Sequence, residues 1–149
     1  MLTLIPIATT ILKDDLTHNA ISKSVKLTYE TFKNIISYNR QEVTNNLEEI
    51  DIMNQLQIVD ALMNDIDKNK NIVNNYTSIE VALKQLHEIV NKVHQELNTI
   101  NEIIKYNESI WFPRFRAIDY NKNIQELKIH KKIMDGRLNL LIKLMQIIH

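Results

Sequence analysis

A chain of 149 residues is long enough for one ordinary domain, or for a few helices too long to share one compact core. It holds a single glycine and two prolines, 44% apolar residues, and as many acidic as basic side chains. So few turn formers exclude a β-rich fold, the apolar content excludes a disordered chain, and the balanced charge argues against a general nucleic-acid binder.

Residues 1–18 read as an apolar docking segment. Met1 to Leu12 are apolar apart from three threonines and carry no basic stretch ahead of the apolar run, so no signal peptide is expected. The run is also too short to cross a bilayer. A groove between helices, the chain's own or a partner's, is the simplest place for it to lie.

Residues 19–149 read as an all-α, elongated antiparallel bundle or coiled coil of three long helices, over about 19–66, 77–107 and 117–148. In the first, apolar residues recur at Ile21, Val25, Phe32, Ile36, Val43, Leu47 and Ile50. They resume in a shifted frame at Ile52, Leu56, Val59, Met63 and Ile66. That shift is a stutter in one helix or a bend between two, and Tyr38-Asn39-Arg40 is a softer point before it. Asp65 to Asn75, rich in Asn, Asp and Lys, is expected to be a loop.

The second helix carries the clearest signal. Ile79, Leu83, Leu86, Val90, Val93, Leu97, Ile100 and Ile104 alternate strictly by four and three, the spacing of a supercoiled seam. Ala82, Ile89 and Ile103 widen the stripe, so this helix is expected to touch more than one neighbour. Thr77 with Glu80 has the form of a capping box, and Tyr76 with Val81 that of a hydrophobic staple. Asn75-Tyr76-Thr77 and Asn107-Glu108-Ser109 fit the glycosylation pattern, but a chain this rich in asparagine produces such triplets by accident.

The third helix has a weaker heptad through Ala117, Tyr120, Ile124, Leu127, Met134, Leu138, Leu141, Met145 and Ile148, with Lys131 in the seam. From Leu138 to Ile148 it is apolar nearly all round, which predicts burial on several sides. At about 1.5 Å per residue the second and third helices span roughly 45 Å each, and an unbroken first one roughly 70 Å. An unbroken first helix would outrun its own chain and need another to cover its far end.

Charge is unevenly spread. Residues 41–67 hold seven carboxylates and no lysine or arginine, whereas residues 114–143 hold eight basic and three acidic side chains. Pairing of the first helix's second half with the third is the expected use of that asymmetry; an external partner for each stripe is the alternative.

Chemistry is harder to find. Cysteine is absent, which removes disulfides, thiolate nucleophiles and sulfur-ligated zinc, and mildly favours an intracellular setting, cytoplasmic or nuclear. His87 and His94 share a helix face with Asn91, but no carboxylate there completes a ligand set, and His87-Glu88 lacks the second histidine of a zincin. Glu126 and His130 are spaced for a surface ion pair. No phosphate loop is possible with one glycine. No catalytic, cofactor or metal site is therefore expected.

Ile110-Trp111-Phe112-Pro113-Arg114-Phe115-Arg116 gathers residue types that dominate binding hot spots. Trp111, Phe112, Arg114, Phe115 and Arg116 are candidate partner contacts, or else a hydrophobic plug in the turn between the second and third helices. The sequence thus points to a structural or adaptor subunit with protein partners, in a homo- or hetero-oligomer, and disfavours nucleic acid and membrane. A helical effector or virus-encoded factor acting on host proteins or membranes through the apolar N-terminus is the alternative. Alanine at Trp111 and Arg114 separates plug from contact: a plug loses helicity in circular dichroism, while a contact keeps its fold and loses its partner.

Overall fold

The computed structural model describes residues 4–109 and 120–148, with residues 4–16, Ile72 and Asn74 described by backbone alone. Among these residues the chain is all-helical. In order, α1 is Leu4–Ser37, α2 Gln41–Ile50, α3 Ile52–Lys68, α4 Lys70–Asn75, α5 Thr77–Ser109 and α6 Asn121–Ile148. Trp111 to Arg116 and Ala117 lie outside the described residues.

The first helix is not one rod. The backbone turns at Tyr38, Asn39 and Arg40, where Asn39 takes φ 56°, and again at Asp51, with φ 63°. Both residues are types whose short polar side chains tolerate the left-handed region. Asp51 N–H closes α2 on the carbonyls of Leu47 and Glu48, and its carboxylate accepts from Asn54 Nδ2. The kink explains the shifted frame: Ile50 and Ile52 are both buried around an exposed Asp51, although residues two apart in a straight helix point about 200° from one another.

With those turns the chain doubles back. His18 Nε2 lies 2.8 Å from Asp67 Oδ1, and the Tyr29 hydroxyl donates to the Met53 carbonyl at 3.3 Å, so α1 and α3 run antiparallel. α5 then runs parallel to α1, as Ser24 with Asn91 and Arg40 with Glu108 show. α6 returns antiparallel to α5, with Asn123 on Glu96 and Arg137 on the Gln85 carbonyl. α6 also meets α2 and, more narrowly, α3. Four rods result: two antiparallel hairpins side by side.

This arrangement corrects the helix count, the wholly antiparallel orientation and the loop at 65–75. Three long helices become four rods, and the bundle is not wholly antiparallel. The apolar start is continuous in backbone with α1, whose Pro6 falls in the first turn, where no N–H is needed. Residues 65–75 are mostly helix, interrupted at Asn69 and Tyr76, because buried Val73 anchors α4 to the core and Asn69 Nδ2 bonds back to the Asp65 carbonyl. Finally, the first helix is broken and doubled back, so the rod of roughly 70 Å whose far end would have needed a second chain does not form.

The α5 seam is covered inside the chain. Ile79, Leu83, Leu86, Val90, Val93, Leu97, Ile100 and Ile104 are all fully buried, and so are Ala82 and Ile89 beside them. The two flanks face different neighbours, α1 and α6, as the widened stripe implied. Helix α5 starts one residue earlier than a Thr77 cap requires: Tyr76 is the capping residue, its carbonyl accepting from Glu80 N–H. Tyr76 and Val81 both stay exposed, so no buried staple forms.

Tyr120, just before α6, and Ile124, Leu127, Met134, Leu138 and Leu141 on it are buried, Met145 and Ile148 of the same heptad are half-buried, and the Lys131 amine reaches Asp135 at 2.9 Å. The acidic 41–67 stretch does lie on α6. Among the described residues, however, no ion pair joins its carboxylates to the bases of that helix.

Leu97→Ala deletes fully buried volume and is expected to cost about 2–5 kcal/mol in denaturant unfolding. Gly136→Ala should act oppositely. A methyl group there meets nothing within 4 Å, so replacing a mid-helix glycine should add about 0.5–1 kcal/mol in the same measurement.

Candidate helix-docking surface

Two groupings of side chains stand apart from the aliphatic core. The first is a polar seam between α1 and α5. Thr17, Ile21, Ser24, Thr28, Thr31 and Ile35 follow one another at spacings of four and three and are all buried. An apolar count passes over the hydroxyls, and it chose Ile36, which is exposed, instead of Ile35. Buried hydroxyls need partners, and these have them. Thr28 donates to the Ser24 carbonyl at 2.7 Å and Thr31 to the Leu27 carbonyl at 3.0 Å, each one turn back along its own helix.

Ser24 instead crosses the interface, donating to Asn91 Oδ1 at 2.7 Å; Asn91 Nδ2 in turn lies 3.2 Å from His87 Nε2. His94 Nε2 lies 3.5 Å from the Thr31 hydroxyl. The two histidines on the α5 face therefore hold α1 in register. Among the described residues no three His, Asp or Glu side chains converge where an ion could be held. Small side chains let α1 and α5 approach closely, and the hydrogen bonds fix their relative height.

Burial holds the His87 imidazole below its ordinary range. The bond from Asn91 acts in the same sense, because its amide hydrogen needs a neutral Nε2 as acceptor. At the far end of α1, the hydrogen bond from His18 is the main cause holding the Asp67 carboxyl below its usual range. Glu126 and His130 sit 3.9 Å apart, at the outer limit of an ion pair.

The second grouping faces outward on α6. Ten large apolar side chains are exposed among the described residues, and four of them are Ile129, Ile133, Leu140 and Ile147. This corrects the expectation that the last turns of α6 are buried on several sides: Ile147 is 80% exposed and Leu140 47%. At 100° per residue the four fall within an arc of about 40°, roughly opposite the buried face that carries Met134 and Leu138. With Gly136 and Lys143 they complete a strict 4-3-4-3-4 file along α6.

That file has the spacing of a second heptad seam, and among the described residues no helix covers it. Exposed Lys128 and Lys132 lie along one side of it and Lys143 within it, and among the described residues none of the three has an acidic partner within 4 Å. Its other side borders α5. Nearby, Leu62 of α3 with Ile142, Met145 and Gln146 of α6 line an open apolar groove. A separate pocket of about 360 Å³ sits over the Asp51 kink, lined by Phe32, Leu47, Glu48, Met53 and Asn54 as well as Asp51 itself. No described helix is long and apolar enough to cross a membrane.

The chain is similar to a protein of Acanthamoeba polyphaga mimivirus, itself described only as uncharacterized, with 23% identity over 150 residues that cover 84% of this chain and 72% of the viral one. No family model and no solved structure matches.

The polar seam predicts a pH response. The folded state disfavours a proton on His87 relative to the unfolded chain, so the unfolded chain binds more protons in the window between the lowered and the ordinary imidazole value. Stability is complete above the ordinary value and falls as pH drops through that window. The melting temperature of wild type should therefore decline on acidification more steeply than that of His87→Gln.

Proposed function

We propose that this chain is a non-enzymatic helical adaptor, a subunit that joins a larger protein assembly by packing a helix of another molecule against its own. The observation that carries this reading is the uncovered heptad file on α6. A bundle that buries the whole α5 seam has no stability reason to leave Ile129, Ile133, Leu140 and Ile147 in water at seam spacing. Exposed apolar residues scattered singly are ordinary, but four in one file are what a partner helix needs.

Nothing in the polar seam is laid out for catalysis. Its histidines are engaged with Asn91 and Thr31, and the buried Thr28 and Thr31 hydroxyls beside them donate to carbonyls of their own helix. The Trp111 to Arg116 segment joins α5 to the start of α6, so a partner on α6 could extend onto it. Its contacts belong to this proposal.

The test is site-specific crosslinking in the source cell. A photoreactive residue at position 140 or 147 should yield a protein adduct of defined mass, and one at Gln95 on the exposed face of α5 should not. Adducts from all three positions alike, or from none, would refute the reading.

The similarity to a mimivirus protein favours a second reading, a virus-encoded factor acting on host proteins or membranes through its apolar start. Vesicle co-sedimentation with and without residues 1–12 decides it: that reading requires binding that the deletion removes, while the adaptor reading requires none.

A further inference from the structure

The file on α6 carries information about its occupant, and this inference rests on the adaptor reading. Three features bear on it. The file is one residue wide and spaced by four and three, with Gly136 and Lys143 between its four apolar residues, which fits the knobs of a helix. An interfacial membrane helix offers a broad apolar face instead. The side facing away from α5 is lined by Lys128 and Lys132, with Lys143 in the file itself, all three exposed and without an acidic partner among the described residues.

The third feature is the chain's only glycine, at the middle of the file. Gly136 is exposed inside a helix, where glycine is unfavourable, and nothing in its own bundle comes within 4 Å of where a Cβ would stand. Nothing within the bundle requires the missing side chain. A partner backbone crossing there would use the space, as small residues allow close helix approach elsewhere.

Together these select among occupants. A second copy laid antiparallel, α6 to α6, would set the lysine flank of one helix along that of the other, where like charges are unfavourable, and a parallel copy would set those lysines along the flank that α5 already borders. A helix with acidic residues beside its own apolar seam meets both the file and the lysines. We infer that the outer face of α6 is the docking site for an amphipathic helix of a different protein, with an aliphatic heptad seam and acidic residues along one edge, crossing most closely at Gly136.

Fluorescence anisotropy with synthetic probes tests this. Two labelled peptides, each three heptads long with the same Leu and Ile seam, carry either Glu or Lys at the flanking positions. The acidic peptide should bind the full-length chain at least about tenfold more tightly than the basic one, a difference of about 1.4 kcal/mol, and more weakly as salt is raised. Leu140→Glu should abolish binding. Ile147→Glu, at the most exposed position of the file, should do the same with no risk to folding. Gly136→Ala should weaken binding several-fold although its bundle melts no lower than wild type.

Equal affinity for the two peptides would overturn the inference, as would acidic binding that ignores Leu140→Glu. Self-association in sedimentation velocity that Leu140→Glu removes would give the face to a second copy. Removal by the same variant of co-sedimentation with phosphatidylserine–phosphatidylcholine vesicles would give it to a membrane. Either result overturns the proposal. Crosslinks from α6 in cells, combined with no preference for the acidic peptide, would leave the adaptor role standing and remove only the partner's chemistry. Selective peptide binding with no crosslink in cells would do the reverse.

Discussion

The structure depends on burying the apolar stripe of α5 from two sides. That helix is about 50 Å long at 1.5 Å per residue, and every a and d position along it is sealed from water. A helix with a stripe wider than one seam cannot be satisfied by one neighbour, so α1 and α6 must take a flank each. The remaining geometry follows. α6 leaves the end of α5 and returns antiparallel, α1 lies parallel on the other flank, and the doubled-back α2 and α3 fill the side that α1 and α6 leave open.

The two interfaces of α5 work by different chemistry. Toward α6 the contact is aliphatic, with Ile124, Leu127, Met134, Leu138 and Leu141 buried and only Asn123 and Arg137 reaching across at the edges. Toward α1 it is built of small hydroxyl residues and the amide and imidazole groups of Asn91, His87 and His94. An aliphatic seam tolerates sliding by a heptad, because one Leu or Ile resembles the next. The Ser24–Asn91–His87 chain does not, since a shift would leave several buried polar atoms unpaired, at roughly 1–3 kcal/mol each. The polar interface therefore supplies register where the apolar one supplies most of the burial.

How much of this was legible in the sequence depended on which residue type carried the signal. The α5 seam was plain because eight branched aliphatic residues keep one period without interruption. The inward face of α6 was nearly as plain, and Lys131 in it was correctly a seam position. The face of α1 was misread because a Thr or Ser that bonds its own helix one turn back can be buried like an apolar residue, and hydropathy alone does not record that. The frame shift at Ile50 and Ile52 was visible, but deciding between stutter and bend needed the left-handed backbone at Asp51. The shift did not reveal that the chain folds back earlier, at Tyr38, Asn39 and Arg40. Trp111 to Arg116 stood out by composition and lies beyond the described residues, so its role stays with the sequence.

The outer file of α6 was missed for an instructive reason. From Leu138 to Ile148 apolar residues occupy nearly every face, and the natural inference is burial all round, which assumes that enough neighbours exist within one chain. Four rods from 149 residues do not supply them: α6 meets α5 on one flank and α2 and α3 on the other, and its back is left in water. An apolar circumference on this rod thus records two files, one buried inside the fold and one exposed on its outer face. The two differ in their companions. Lys131 on the inner face has Asp135 in its own helix, whereas Lys128 and Lys132 beside the outer file and Lys143 within it have no acidic partner among the described residues, so the inner face balances a charge that the outer face presents to water.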